Sequence, residues 1–172
     1  TYDNGFIMAG AGATSSQYGD IYVIRTNAYG DTLWTRTYDK STSDAAMDVK
    51  QTTDSNFIIA AITYDTTVYK NNIYLIKTDA AGDTLWTIKY FYPLHQVVYS
   101  IDQTTDGGYI MTGNTDNSNG RSLYLIKAND IGDTLWTRMY NPNIDNYGYY
   151  VRQTEDGGFI ICGATSTGSY II

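Results

Sequence analysis

The chain has 172 residues, with 18 acidic against 11 basic side chains and a formal net charge of −7. That balance disfavours nucleic acid and anionic membrane surfaces as partners, because both reward an excess of Lys and Arg. One cysteine, Cys162, excludes an internal disulfide, and no stretch is long and apolar enough for a membrane span.

The first recognisable element is a turn, Asp3-Asn4-Gly5, followed by the apolar run Phe6-Ile7-Met8-Ala9-Gly10. After a variable segment comes Ile21-Tyr22-Val23-Ile24-Arg25-Thr26, then a turn ending in Gly30-Asp31 and the run Thr32-Leu33-Trp34-Thr35-Arg36-Thr37-Tyr38. A second variable segment leads to the alternating stretch Met47-Asp48-Val49-Lys50-Gln51-Thr52, and Asp54 begins the series again. The pentapeptide Gly-Asp-Thr-Leu-Trp closes on Trp34, Trp86 and Trp136, giving a period of about 50 residues, the mark of an array. The repeats fall at 3–53, 54–105, 106–155 and 156–172, the last incomplete.

Each run is short, rich in Ile, Val, Tyr, Thr and Trp, and bounded by Gly, Asn or Asp, so the unit reads as four strands without a helix. The Asp-Gly-Gly and Asn-x-x-Gly-Asp segments hold residues that tolerate positive φ and should close tight hairpins, which makes the repeat an antiparallel meander. The first two runs are apolar on both faces, as expected for a sheet covered on each side by a neighbour. Four strands in about 50 residues is the size of a β-propeller blade. The expected fold is therefore all-β, a partial β-propeller of about three and a half four-stranded antiparallel blades.

The stretch Leu75-Ile76-Lys77-Thr78-Asp79-Ala80-Ala81-Gly82-Asp83-Thr84-Leu85-Trp86 resembles the quinoprotein-type (PQQ-like) propeller repeat, in which Asp, a turn Gly and a following Trp recur at similar spacing. That resemblance implies a Trp packed between blades and an innermost strand at Val49, Ile101 and Val151. The whole pattern, Asp-Gly-Gly-Tyr-Ile, Tyr-Leu-Ile-Lys and Gly-Asp-Thr-Leu-Trp, is similar to repeats of large secreted bacterial surface proteins, which implies an extracellular or cell-surface location. Closed propellers commonly have six to eight blades, roughly 300 to 400 residues at this period. With no initiator Met, signal peptide or sorting tail in view, the expectation is a fragment of a longer protein. The alternative is a half-ring that pairs with a second copy. Either way the partners include the remaining blades or another copy, and apolar terminal faces such as Phe6, Ile7 and Tyr22 should promote association.

In a meander the two turns that barely change between copies share one face, and the variable segments share the other. Binding residues sit on loops held by a rigid scaffold, so the variable face is the candidate. It collects Thr14 to Gly19, Asp39 to Ala46, Tyr64 to Asn71, Phe91 to Val97, Asn114 to Arg121, Asn141 to Gly148 and Ser166 to Gly168. Within it Tyr18, Tyr64, Tyr69, Phe91, Tyr92, His95, Arg121 and Tyr147 are candidate ligand-binding residues for a protein or carbohydrate partner, since flat rings offer large contact area at small entropic cost.

Catalysis has little to build on. His95 is the single histidine and lacks a Gly-x-Ser-x-Gly partner, and Glu155, the single glutamate, occupies a turn position. No metal or cofactor is expected. Asn114 to Gly120 lacks the glycine and terminal acid of a calcium loop, and the repeated turn aspartates have a structural use. Cys162 replaces Ala9, Ala60 and Thr112 and reads as a small buried residue. The expectation is a non-catalytic extracellular module that binds through its variable loops. The alternative is part of a propeller enzyme, a hydrolase or quinone-dependent oxidoreductase, whose catalytic residues lie outside this chain.

Overall fold

The computed structural model describes residues 1–13, 19–38, 43–117, 120–140, 145–166 and 168–171. They are all-β, with fourteen strands and no helix. The first sheet is β1 (Phe6–Ala13), β2 (Gly19–Thr26) and β3 (Thr32–Tyr38), and the second is β4 (Asp44–Gln51), β5 (Phe57–Asp65), β6 (Lys70–Thr78) and β7 (Thr84–Tyr90). The third is β8 (Gln96–Gln103), β9 (Tyr109–Asn117), β10 (Gly120–Ala128) and β11 (Thr134–Tyr140), and the fourth is β12 (Asn146–Gln153), β13 (Phe159–Thr165) and β14 (Gly168–Ile171). Strands pair antiparallel in chain order, so every sheet is a meander, and each of the last three begins with the Val49, Ile101 or Val151 strand. Two compact units result, Thr1–Tyr90 with the first two sheets and Phe91–Ile172 with the last two.

Turn chemistry explains the hairpins. In the Asn27 turn the side-chain oxygen accepts from the backbone N–H of Tyr29 and Asp31, both at 2.9 Å, and Gly30 supplies the left-handed step at φ 88°. Asp79 plays the same part for Ala81 and Asp83, and Asn129 for Ile131 and Asp133. The other turn is held by a carboxylate. Asp54 accepts from Asn56 N–H, Asp106 from Gly108 and Asp156 from Gly158.

A cation two strands away locks Asp54 and Asp106, and likewise Asp3 in the corresponding first turn. Arg25 pairs with Asp3, Lys77 with Asp54 at 3.1 Å and Lys127 with Asp106 at 2.9 Å, and each cationic side chain is almost wholly buried. A charge buried in an apolar strand has to be paired, and the turn aspartate meets that need.

In the first unit Ile7, Ala9, Ile21 and Val23 of the first sheet pack with Ile59, Ala61, Tyr74 and Ile76 of the second. Trp34 lies edge-on to Phe57 at 6.0 Å and donates through Nε1 to the Ala80 carbonyl at 3.2 Å, while the Tyr38 hydroxyl donates to the Gly82 carbonyl at 2.7 Å. The second unit repeats this seam with Ile110, Leu123 and Leu125 against Val151 and Ile161, and Trp136 sits 5.8 Å from Phe159. The tryptophan of one sheet thus seats on the phenylalanine of the next within each unit.

Three expectations need correction. Ile7 was expected on an open apolar face, yet it packs into the seam of the first unit, because alternation along β1 turns its neighbours Phe6 and Met8 outward instead. Cys162 is exposed, whereas Ala60 and Thr112 at the corresponding positions are buried. Much of the supposed variable loop is ladder: β5 and β6 pair out to Asp65↔Lys70, and β9 and β10 to Asn117↔Gly120. Polar side chains do not stop a strand, since backbone pairing needs no apolar residue.

Candidate functional site

Each first strand of the last three sheets carries one extra residue. The register slips between Ala46 and Asp48, between Val98 and Ser100, and between Gly148 and Tyr150, which leaves Met47, Tyr99 and Tyr149 bulged. A bulge re-aims a side chain, and bulges cluster beside functional sites.

In the second unit this aiming produces a chain of contacts. Tyr99 meets Tyr149 edge-on at 5.4 Å, and Tyr149 stacks on Tyr147 at 6.0 Å with planes 11° apart. The Arg121 guanidinium lies over the Tyr147 ring at 5.8 Å and donates through Nη1 to its hydroxyl at 3.3 Å. Asp116 sits 3.6 Å from Arg121 Nε, and Asp145 accepts the Arg121 backbone N–H at 2.7 Å. The Tyr147 hydrogen bond raises the Arg121 pKa, Asp116 adds to that shift, and burial raises the Tyr99 pKa. About half of the Arg121 side chain and of Tyr149 remains exposed. The result is a partly open row of three rings ending in a fixed cation and a carboxylate, suited to stacking on a flat ligand and hydrogen-bonding its polar rim.

The structure brings together two of the sequence candidates, Arg121 and Tyr147, and separates the others from them. Tyr92 packs against Tyr124 at 5.8 Å, and Tyr124 and Arg121 project from opposite faces of β10 by alternation. His95 contributes its backbone carbonyl, which accepts from the Thr115 hydroxyl and the Asp116 N–H, both at 3.1 Å. Phe91 is strongly exposed. In the first unit Tyr64 lies within β5 and Tyr69 stands exposed at the β5–β6 hairpin tip with φ 54°. Tyr18 lies outside the described residues.

Sequence reading missed Tyr99, Tyr149, Asp116 and Asp145. The available signal was that Tyr99 and Tyr149 share a repeat position with Met47, where a large side chain stands at every copy of an otherwise alternating strand.

A cleft of about 410 Å³ opens at the opposite, turn edge of the first unit, lined among others by Tyr2, Arg25, Trp34, Gln51 and Phe57. Its polar groups are already engaged: Arg25 with Asp3, Gln51 Oε1 with the Tyr2 N–H at 2.7 Å, and the Trp34 indole with Ala80. It is a seam between two sheets.

Among the described residues no group of three or more His, Cys, Asp or Glu side chains gathers, and no helix is long and apolar enough to cross a membrane. Compared with known proteins, the chain matches no family model and no curated protein.

Proposed function

We propose that the chain is part of a β-propeller, a non-catalytic module of a secreted or surface protein that binds a protein or glycan at the edge opposite its two invariant turns. The observation that carries the reading is the Tyr99, Tyr149, Tyr147 and Arg121 row, built from two bulged residues, the start of β12 and the arm of the β9–β10 hairpin. The propeller part draws support from the size and order of the second and third sheets, each a four-stranded meander with the Val49 or Ile101 strand at one edge and a Trp strand at the other. Further sheets of the same protein, or of a second copy, would extend the stack. The extracellular setting rests on the similarity of Gly-Asp-Thr-Leu-Trp repeats to those of secreted surface proteins.

The test is a screen of the immobilised chain against glycans and surface proteins, repeated with Tyr149→Ala and Arg121→Ala. A ligand of this site should lose at least tenfold in affinity with each variant, the loss typical of a central interface anchor. A ligand held equally well by both variants, or no ligand at all, would reject the assignment.

A further inference from the structure

The first sheet of one unit and the fourth sheet of the other each carry, position for position, one half of the seam found within each unit. In the first unit the donor half is Ile7, Ala9, Ile21 and Val23, and the acceptor half is Ile59, Ala61, Tyr74 and Ile76. In the second unit the donor half includes Ile110 and the acceptor half includes Ile161 and Phe159.

The acceptor positions recur on the outward face of the first sheet, at Phe6, Met8, Gly10, Tyr22 and Ile24. Phe6 and Met8 are 56% and 48% exposed, whereas Phe57 and Ile59 at the same repeat positions are 1% and 0%. A groove of about 210 Å³ runs along this face, lined by Met8, Ala9, Gly10, Ala11, Tyr22 and Ile24. The donor positions recur on the outward face of the fourth sheet, at Ile160 and Cys162. Ile160 is 45% exposed and Cys162 is exposed, whereas Ile110 and Thr112 at the same positions of the third sheet are 0% and 2%. Apolar positions that are buried in a seam elsewhere in the chain stand open at both places.

We propose that the outward face of β1 and β2 takes the outward face of β13 from a second copy of this chain, head to tail. Ile160 and Cys162 would join Met8 and Gly10 in a packed seam as Ile7 and Ala9 join Ile59 and Ala61 within the first unit. The contact is heterologous, so each copy presents one acceptor and one donor and assembly continues beyond a dimer unless the arrangement closes. The proposal rests on the stacking of like sheets. It uses no residue of the tyrosine row, so its failure would leave the ligand-binding test standing, and the reverse.

The experiment is sedimentation velocity on the full chain over a hundredfold concentration range, with Met8→Asp and Ile160→Asp variants alone and mixed. Both sites are exposed, and circular dichroism melts confirm folding. The wild type should grow in mass with concentration, and each variant alone should weaken association at least tenfold. The mixture retains one intact acceptor and one intact donor and should stop at a dimer. Alkylation of the Cys162 thiol should slow as the wild-type concentration rises and should not slow for Met8→Asp. A single variant that associates like the wild type, or a mixture of folded variants that stays monomeric, would overturn the proposal.

Discussion

Arg25, Lys77 and Lys127 show how one residue choice shapes the chain. Each stands in an apolar strand, and each is held by the aspartate of a turn that the sequence places about 22 residues earlier. Partial burial pushes Asp54 up, but the Thr52 hydroxyl and Lys77 outweigh it and hold the carboxyl at about 2; the Thr104 hydroxyl, then Lys127, hold Asp106 at about 2. Folded values below the ordinary 3.8 mean stability that is complete above about pH 4 and lost as pH falls toward 2. Melting temperature should therefore be flat above pH 5 and drop between pH 4 and 2, and Asp106→Asn should flatten that drop. Asp156 keeps the Thr154 and Gly158 bonds with no cation paired to it among the described residues, so Asp156→Asn should cost less than Asp106→Asn in the same melts. Because cations already occupy Asp3, Asp54 and Asp106, and no three acidic, His or Cys side chains gather among the described residues, millimolar calcium or a chelator should leave the melting temperature unchanged.

Among the elements, the strands were legible where apolar periodicity was strong and illegible where it faded. Phe57 to Ala61 and Leu123 to Ile126 announce buried strands, but the arms from Thr63 to Asp65 and from Asn114 to Asn117 are polar and continue the same ladders. The Trp strands show packing at work. Trp34→Ala removes the ring that seats on Phe57 and a hydrogen bond to Ala80, and should cost about 3 kcal/mol in chemical denaturation, the low end for a large aromatic because Trp34 is only half-buried. Gly148 is a second sensitive point, where an added Cβ would run into the Thr112 hydroxyl and Leu123 across the seam. Gly148→Ala should destabilise by about 1 to 3 kcal/mol through overpacking, read from the same denaturation curves.

At the scale of the whole molecule, like sheets stack by one repeated rule within each unit, Trp on Phe and Ile-x-small on Ile-x-small. Phe6 and Met8 at acceptor positions of the first sheet, and Ile160 and Cys162 at donor positions of the fourth, stand exposed. If copies dock through these faces, association stabilises the folded state by mass action, so melting temperature should rise with protein concentration and Met8→Asp should remove that rise. Cys162 illustrates why sequence could not settle its exposure. Its repeat position is buried at Ala60 and Thr112, partly buried at Ala9 and exposed at Cys162, and no difference in local sequence pattern separates these cases.

The sequence by itself determined the strands, their hairpins and their order, because turn chemistry and side-chain periodicity act over a few residues and recur in every copy. It also pointed to the edge where the copies differ. Tertiary structure alone decided which side chains meet there. A one-residue bulge re-aims Tyr99 and Tyr149, and pairing across β9 and β10 brings Arg121 beside Asp116, while alternation sends Tyr124, with Tyr92 against it, to the other face. Those outcomes depend on register, and a shift of one residue exchanges the two faces of a strand.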